Sequence, residues 1–121
     1  FCAGRATDAQ AFCAIRRVWE ECGYLLDTHT AVAWSVYERT RDERGSAKTV
    51  VLATASPYKF ASSVLAALGA PAQQGFAALD ALNARTGVPV PQSLAQIRDL
   101  PVLHSDIVDR KDMLSYVKEA L

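Results

Sequence analysis

The sequence predicts an α/β fold that is mainly helical, with one or two short parallel strands. Three observations carry this expectation. Apolar residues recur at helical spacing in several separate stretches, about six helices in all. One run, Val50-Val51-Leu52 within TVVLATASPYKF, is short, continuous and rich in β-branched residues, the pattern of a strand covered on both faces. That run then breaks into a helix through a small polar turn, Thr54-Ala55-Ser56. In open α/β sheets, ligands sit just past the carboxyl end of a strand, where this turn falls.

Thr7 and Gln10 make a capping-box pattern, and a helix is expected to follow to about Cys22. Phe12, Ile15, Val18, Trp19 and Cys22 form its apolar face, and Gly23 closes it. Tyr24-Leu25-Leu26 is too short for more than a link. Asp27 or Thr28 can cap the next helix, which runs to about Arg41. Ala31, Val32, Ala33, Trp34, Val36 and Tyr37 cover most of its circumference, so it should be buried on several sides. The charged end ERTRDER and a Gly45-Ser46 turn lead to the strand. Ser56 then offers a capping hydroxyl and Pro57 suits the first helical position. Phe60, Val64 and Leu68 predict a helix from Pro57 to about Leu68, stopped by Gly69. Gln73 to about Arg85 reads as a helix with Phe76, Leu79 and Leu82 on one face. Gly87 to Pro91 is a stiff connector, and Ser93 to Arg98 holds one helical turn or two. Leu100 to Leu103 contains Pro101 and cannot be helical throughout. Asp109 caps a last helix with Met113, Val117 and Leu121 along one stripe.

The 121 residues are enough for one domain with one core, and 50% hydrophobic with 21% charged residues is ordinary for a soluble globular protein. A formal net charge of zero gives no electrostatic reason to expect nucleic acid or an anionic membrane as partner. No apolar run approaches the roughly 20 residues that span a bilayer, and FCAGRATD does not read as a signal peptide. The chain begins at Phe1 and is expected to be a processed chain or a piece of a longer one. Three cysteines, Cys2, Cys13 and Cys22, without disulfide spacing fit a reducing compartment and a cytoplasmic protein. Cys13 and Cys22 fall on opposite sides of one helix and cannot share a metal, so all three are expected to be buried as small hydrophobes. Neither His29 nor His104 has metal spacing to a Cys, Asp or Glu, and no metal site is expected. A lone strand leaves its hydrogen-bonding edges without partners. Its neighbours are therefore expected outside these residues or in a second copy of the chain.

Two segments, GYLLDTHTAV at Gly23 to Val32 and LATASPYKF at Leu52 to Phe60, together resemble the carboxyl-terminal part of threonine synthase. The ending, with PQSLAQIRDLPV and a final amphipathic helix, is similar to that family's tail. The second segment is the more specific, because it fixes Thr, Pro, Lys and Phe in a row. In the first, Thr28 stands where Pro is usual. The resemblance implies a pyridoxal 5'-phosphate enzyme of the tryptophan-synthase-β-like fold type II, a three-layer αβα domain of which these residues are the last quarter. It implies conversion of O-phospho-L-homoserine and water to L-threonine and phosphate, in threonine biosynthesis. The lysine that carries the cofactor as a Schiff base, and the glycine-rich loop that holds its phosphate, belong to the amino-terminal half, which is absent here. The chain alone is then expected to be inactive and not to bind the cofactor covalently.

The resemblance places the Thr54 hydroxyl against the pyridine nitrogen of the cofactor. A hydroxyl can donate one hydrogen bond to a neutral ring nitrogen, whereas a carboxylate would favour its protonated form. Ser56, Lys59 and His29 are the further candidates for lining the active site. Each also has a structural reading: Ser56 as a helix cap, Lys59 as a solvated lysine, His29 as a capping or packing residue. No catalytic residue is assigned within the chain. Two other readings stand beside this one: a non-catalytic domain that works by association, including self-association, and a threonine-synthase-like phospholyase acting on another phosphorylated amino alcohol.

Overall fold

The computed structural model describes residues 3–46 and 48–119. Six α-helices follow one another among them: α1 (Asp8–Cys22), α2 (Thr28–Thr40), α3 (Ala61–Ala67), α4 (Gly75–Thr86), α5 (Gln92–Ala95) and α6 (Met113–Glu119). Short 3-10 turns lie at Asp42–Arg44, Pro57–Phe60, Gln96–Asp99 and Arg110–Asp112.

The first helix is set by its ends. The Thr7 hydroxyl accepts from the Gln10 amide at 3.3 Å and the Gln10 side chain accepts from the Thr7 amide at 2.8 Å, so two otherwise orphaned donors are satisfied. Gly23 turns left-handed at φ 64° and its N–H reaches the Trp19 carbonyl. Ile15 and Val18 are buried, with Ala11 and Ala14 beside them as the small residues that let neighbouring helices approach. Phe12 and Trp19 flank this core half-covered. At α2 the cap is Asp27, and Thr28 is the first helical residue. α1 packs on α2 and α3, and α3 packs on α4. Leu25, Leu26, Val64, Leu65, Leu68, Leu79 and Leu82 close the centre between them.

The expected α/β class is not what forms. No strand occurs among the described residues, and the architecture is helical. The segment 48–54 is irregular, with Val50 83% and Leu52 75% exposed. A β-branched run becomes a strand only when a second strand pairs with it, and no described segment lies alongside to form the ladder. A parallel strand or αβα layering is therefore absent from these residues.

Several smaller expectations are corrected too. Cys13 and Cys22 are exposed, because their positions on α1 fall outside its packed face; Cys2 lies outside the described residues. α2 is less enclosed than its composition implied. Ala31 is buried, Val32, Trp34, Val36 and Tyr37 are half-covered, and Ala33 faces outward. α1 is the main packing partner of α2, which leaves much of the rest of its circumference only partly covered. Phe76 stands off the core, with the Arg98 guanidinium 5.0 Å above its ring. The apolar stripe of α6, including Met113 and Val117, is exposed, and this helix packs chiefly on the turn before it; Leu121 lies outside the described residues. No described helix is long and apolar enough to cross a membrane.

Candidate functional site

The two segments singled out in the sequence meet in space. His29, in the first turn of α2, and Phe60, at the end of the Pro57–Phe60 turn, bring their rings to 4.9 Å at a 56° tilt. Around this contact a cavity of about 460 Å³ is lined by Asp8 and Phe12 of α1, Thr28, His29 and Val32 of α2, and Phe60 and Ser63. A second cavity, of about 520 Å³, lies between α2 and the extended segment and is lined by His29, Val36, Tyr37 and Thr49 to Leu52. His29 and Val32 are common to both, and His29 is the one of the two with a polar side chain.

The backbone that presents His29 is fixed from beneath by Asp27. This carboxylate is 2% exposed. One of its oxygens accepts from the His29 amide at 2.8 Å and the Thr30 amide at 3.2 Å, and the other accepts from the Thr30 hydroxyl. The positive end of the α2 dipole adds to these donors in offsetting the buried charge. The His29 Nδ1 lies 3.6 Å from the same carboxylate, while the imidazole itself is largely open to the cavities.

Phe60 is held by the capped turn on which it sits. The Ser56 hydroxyl accepts from the Tyr58 amide at 3.2 Å, Pro57 occupies the first position, and Tyr58 is buried with its hydroxyl donating to the Val88 carbonyl. The turn is thereby anchored to the connector after α4. Sequence reasoning missed both anchors, Asp27 as a buried carboxylate and Tyr58 as a core residue. The capping position of Asp27 was a signal for the first. Nothing local marked the second, because its partner is thirty residues away.

The sequence-derived candidates thus fall in different settings. His29 lies at the junction of the two cavities. Ser56 is engaged as the helix cap. Lys59 is exposed and lines a smaller depression, of about 360 Å³, with Ser62, Gln74 and Gly75 at the start of α4. Thr54 is exposed at the end of the irregular segment, and no described residue holds its hydroxyl. His104 is exposed in the tail, far along the chain from the site. Among the described residues no group of three His, Cys, Asp or Glu side chains could hold a metal ion.

The family comparison takes in all of the second segment and only Thr30 to Val32 of the first. The family model described as threonine synthase, C-terminal, matches residues 30–109. A threonine synthase of Corynebacterium glutamicum is 30% identical over 122 residues, which is 100% of this chain and 22% of that protein. A threonine synthase-like 1 protein of Mus musculus is 35% identical over 69 residues, 57% of this chain and 9% of its own length. Its counterpart in Homo sapiens is 34% identical over 68 residues, 56% of this chain and 9% of its own. The chain therefore spans about a fifth of the bacterial relative and less of the mammalian ones. With the carboxyl-terminal family model covering most of its length, the chain belongs to the threonine synthase family.

Proposed function

We propose that these residues are the carboxyl-terminal portion of a pyridoxal-phosphate-dependent threonine synthase, which converts O-phospho-L-homoserine and water to L-threonine and phosphate in the cytoplasm. The observation that carries the reading is the convergence of the two family segments on one pair of cavities, at the His29–Phe60 contact.

The residues present fit part of what the cofactor needs. Thr54 is exposed and carries a hydroxyl, the kind of donor a neutral pyridine nitrogen accepts. When bound, the cofactor supplies an electron sink for bond cleavage next to the amino group of the substrate. The lysine that would hold it covalently is assigned to upstream residues, and Lys59 is not given that role. The contributions of this chain are then positional. Thr54 would donate to the ring nitrogen of the bound cofactor and so tune its electron withdrawal. Ser56 holds the turn through its cap, which keeps Thr54 and Phe60 on either side of Pro57 in fixed relation. His29 lines the cavity beside Phe60, and Lys59 supplies a cation near an anionic group of the substrate.

The test is release of inorganic phosphate, with equal formation of L-threonine, by the full-length protein that carries these residues. Turnover of O-phospho-L-homoserine is expected only when cofactor is present. Cofactor binding without phosphate release from that substrate, but with release from another phosphorylated amino alcohol, favours the phospholyase reading instead. A second reading, association through exposed faces, is favoured by the uncovered Val50, Leu52, Val102, Leu103 and Ile107. Light scattering on the chain alone tests it: a strictly monomeric particle argues against pairing surfaces.

A further inference from the structure

The Asp27 carboxylate sits where it controls more than a helix end. We propose that Asp27 is a positioning residue for His29. It holds the proton of the neutral imidazole on Nδ1 and leaves Nε2 as the acceptor offered to a hydrogen-bond donor of the ligand, an ammonium or hydroxyl group. This deepens the proposed function and rests on it for which ligand enters, but not for the state of the ring.

Three features converge on this assignment. First, the carboxylate cannot turn away. Both oxygens are engaged, by the His29 and Thr30 amides and by the Thr30 hydroxyl, in a site closed to solvent. Second, the imidazole nitrogen nearest to it is Nδ1, at 3.6 Å. That is longer than a good hydrogen bond, yet a lone pair on Nδ1 would face a fixed negative charge, whereas an N–H there is attracted to it. Which ring nitrogen carries the proton is set by what the other groups around the ring demand. Third, the Phe60 ring packs against the imidazole with centroids 4.9 Å apart, which gives the exposed ring a neighbour on one side. The other acidic group lining the same cavity is Asp8, on α1. It belongs to the cavity wall, and a ligand ammonium accepted by Nε2 would also meet that carboxylate.

The measurement is the imidazole tautomer, from nitrogen-15 correlation spectra of the chain at about two pH units above the ordinary histidine value of about 6.5. The chain has two histidines, so His104→Gln leaves His29 as the sole imidazole signal. The expected result is a majority of the Nδ1–H tautomer in the otherwise unchanged chain. Asp27→Asn should return the ring to the Nε2–H majority ordinary for histidine in water, with the circular dichroism of the helices kept, since Asn caps a helix as well as Asp. An Nε2–H majority before any change at Asp27 overturns the proposal, and that result needs no variant to fold. So does a folded Asp27→Asn chain with the tautomer ratio unmoved. Because the spectra need neither cofactor nor substrate, a negative result here leaves the threonine synthase reading standing, and failure of that reading leaves the tautomer result intact.

Discussion

Asp27 accepts three hydrogen bonds at the start of α2 while only 2% exposed. Its removal leaves buried donors without an acceptor. Asp27→Ala is therefore expected to lower stability by about 1–3 kcal/mol, read as a shift of the urea midpoint at constant slope. A milder cap loss is expected at the exposed α1 terminus, where Thr7→Ala should cost about 1 kcal/mol. In the tail, the Tyr116 hydroxyl donates to the Asp106 carboxylate, and that bond, with a smaller contribution from burial, raises its pKa above the ordinary value. A raised acid favours the protonated phenol in the folded chain. Any stability it lends is complete below the unfolded value near 10.0 and is lost as pH climbs through the folded one. Ultraviolet titration should show the Tyr116 phenol ionising at higher pH in the parent than in Asp106→Ala. At this scale the sequence disclosed what is local, such as the Thr7 box and the Ser56 cap. It did not disclose Tyr58, whose burial depends on a carbonyl at Val88 that only the folded chain brings near.

The helices were legible because periodicity and caps are written within ten or fifteen residues. α1, α2 and α4 begin and end within about two residues of where spacing and capping residues place them. The failure at Val50 to Leu52 has the opposite cause. Strand formation is a property of a pair, and a run of β-branched residues states only that a partner would be welcome. The same logic separates core from tail. Leu82 is fully buried in the core, on the helix that packs against α3, so Leu82→Ala should cost about 2–5 kcal/mol. Leu103, exposed in the connector, should tolerate alanine within about 0.5 kcal/mol. Because α6 packs on its own turn, a chain ending after Asp99 is expected to unfold within about 1 kcal/mol of the longer one. Equilibrium denaturation of the three variants side by side checks all of this at once.

Over the whole molecule, a small helical core carries two family segments to one place and leaves long apolar stretches open on either side of it. The site was legible in part. His29 and Phe60 were both marked by the segments that contain them, and their ring contact could not be read from spacing, since thirty-one positions separate them. Thr54 lies exposed at the end of the irregular segment, outside the lining of both cavities, and its contact with the cofactor is a proposal. The part these residues are proposed to play in cofactor chemistry depends most on the Thr54 hydroxyl meeting the cofactor ring. The most direct measurement compares Thr54→Val and Thr54→Ser with the parent in the full-length protein, for kcat on O-phospho-L-homoserine and for melting temperature. The account predicts that valine lowers kcat by about tenfold or more with the melting temperature held, and that serine restores most of the rate. Parent-like kcat in a stable, cofactor-loaded Thr54→Val enzyme would contradict it.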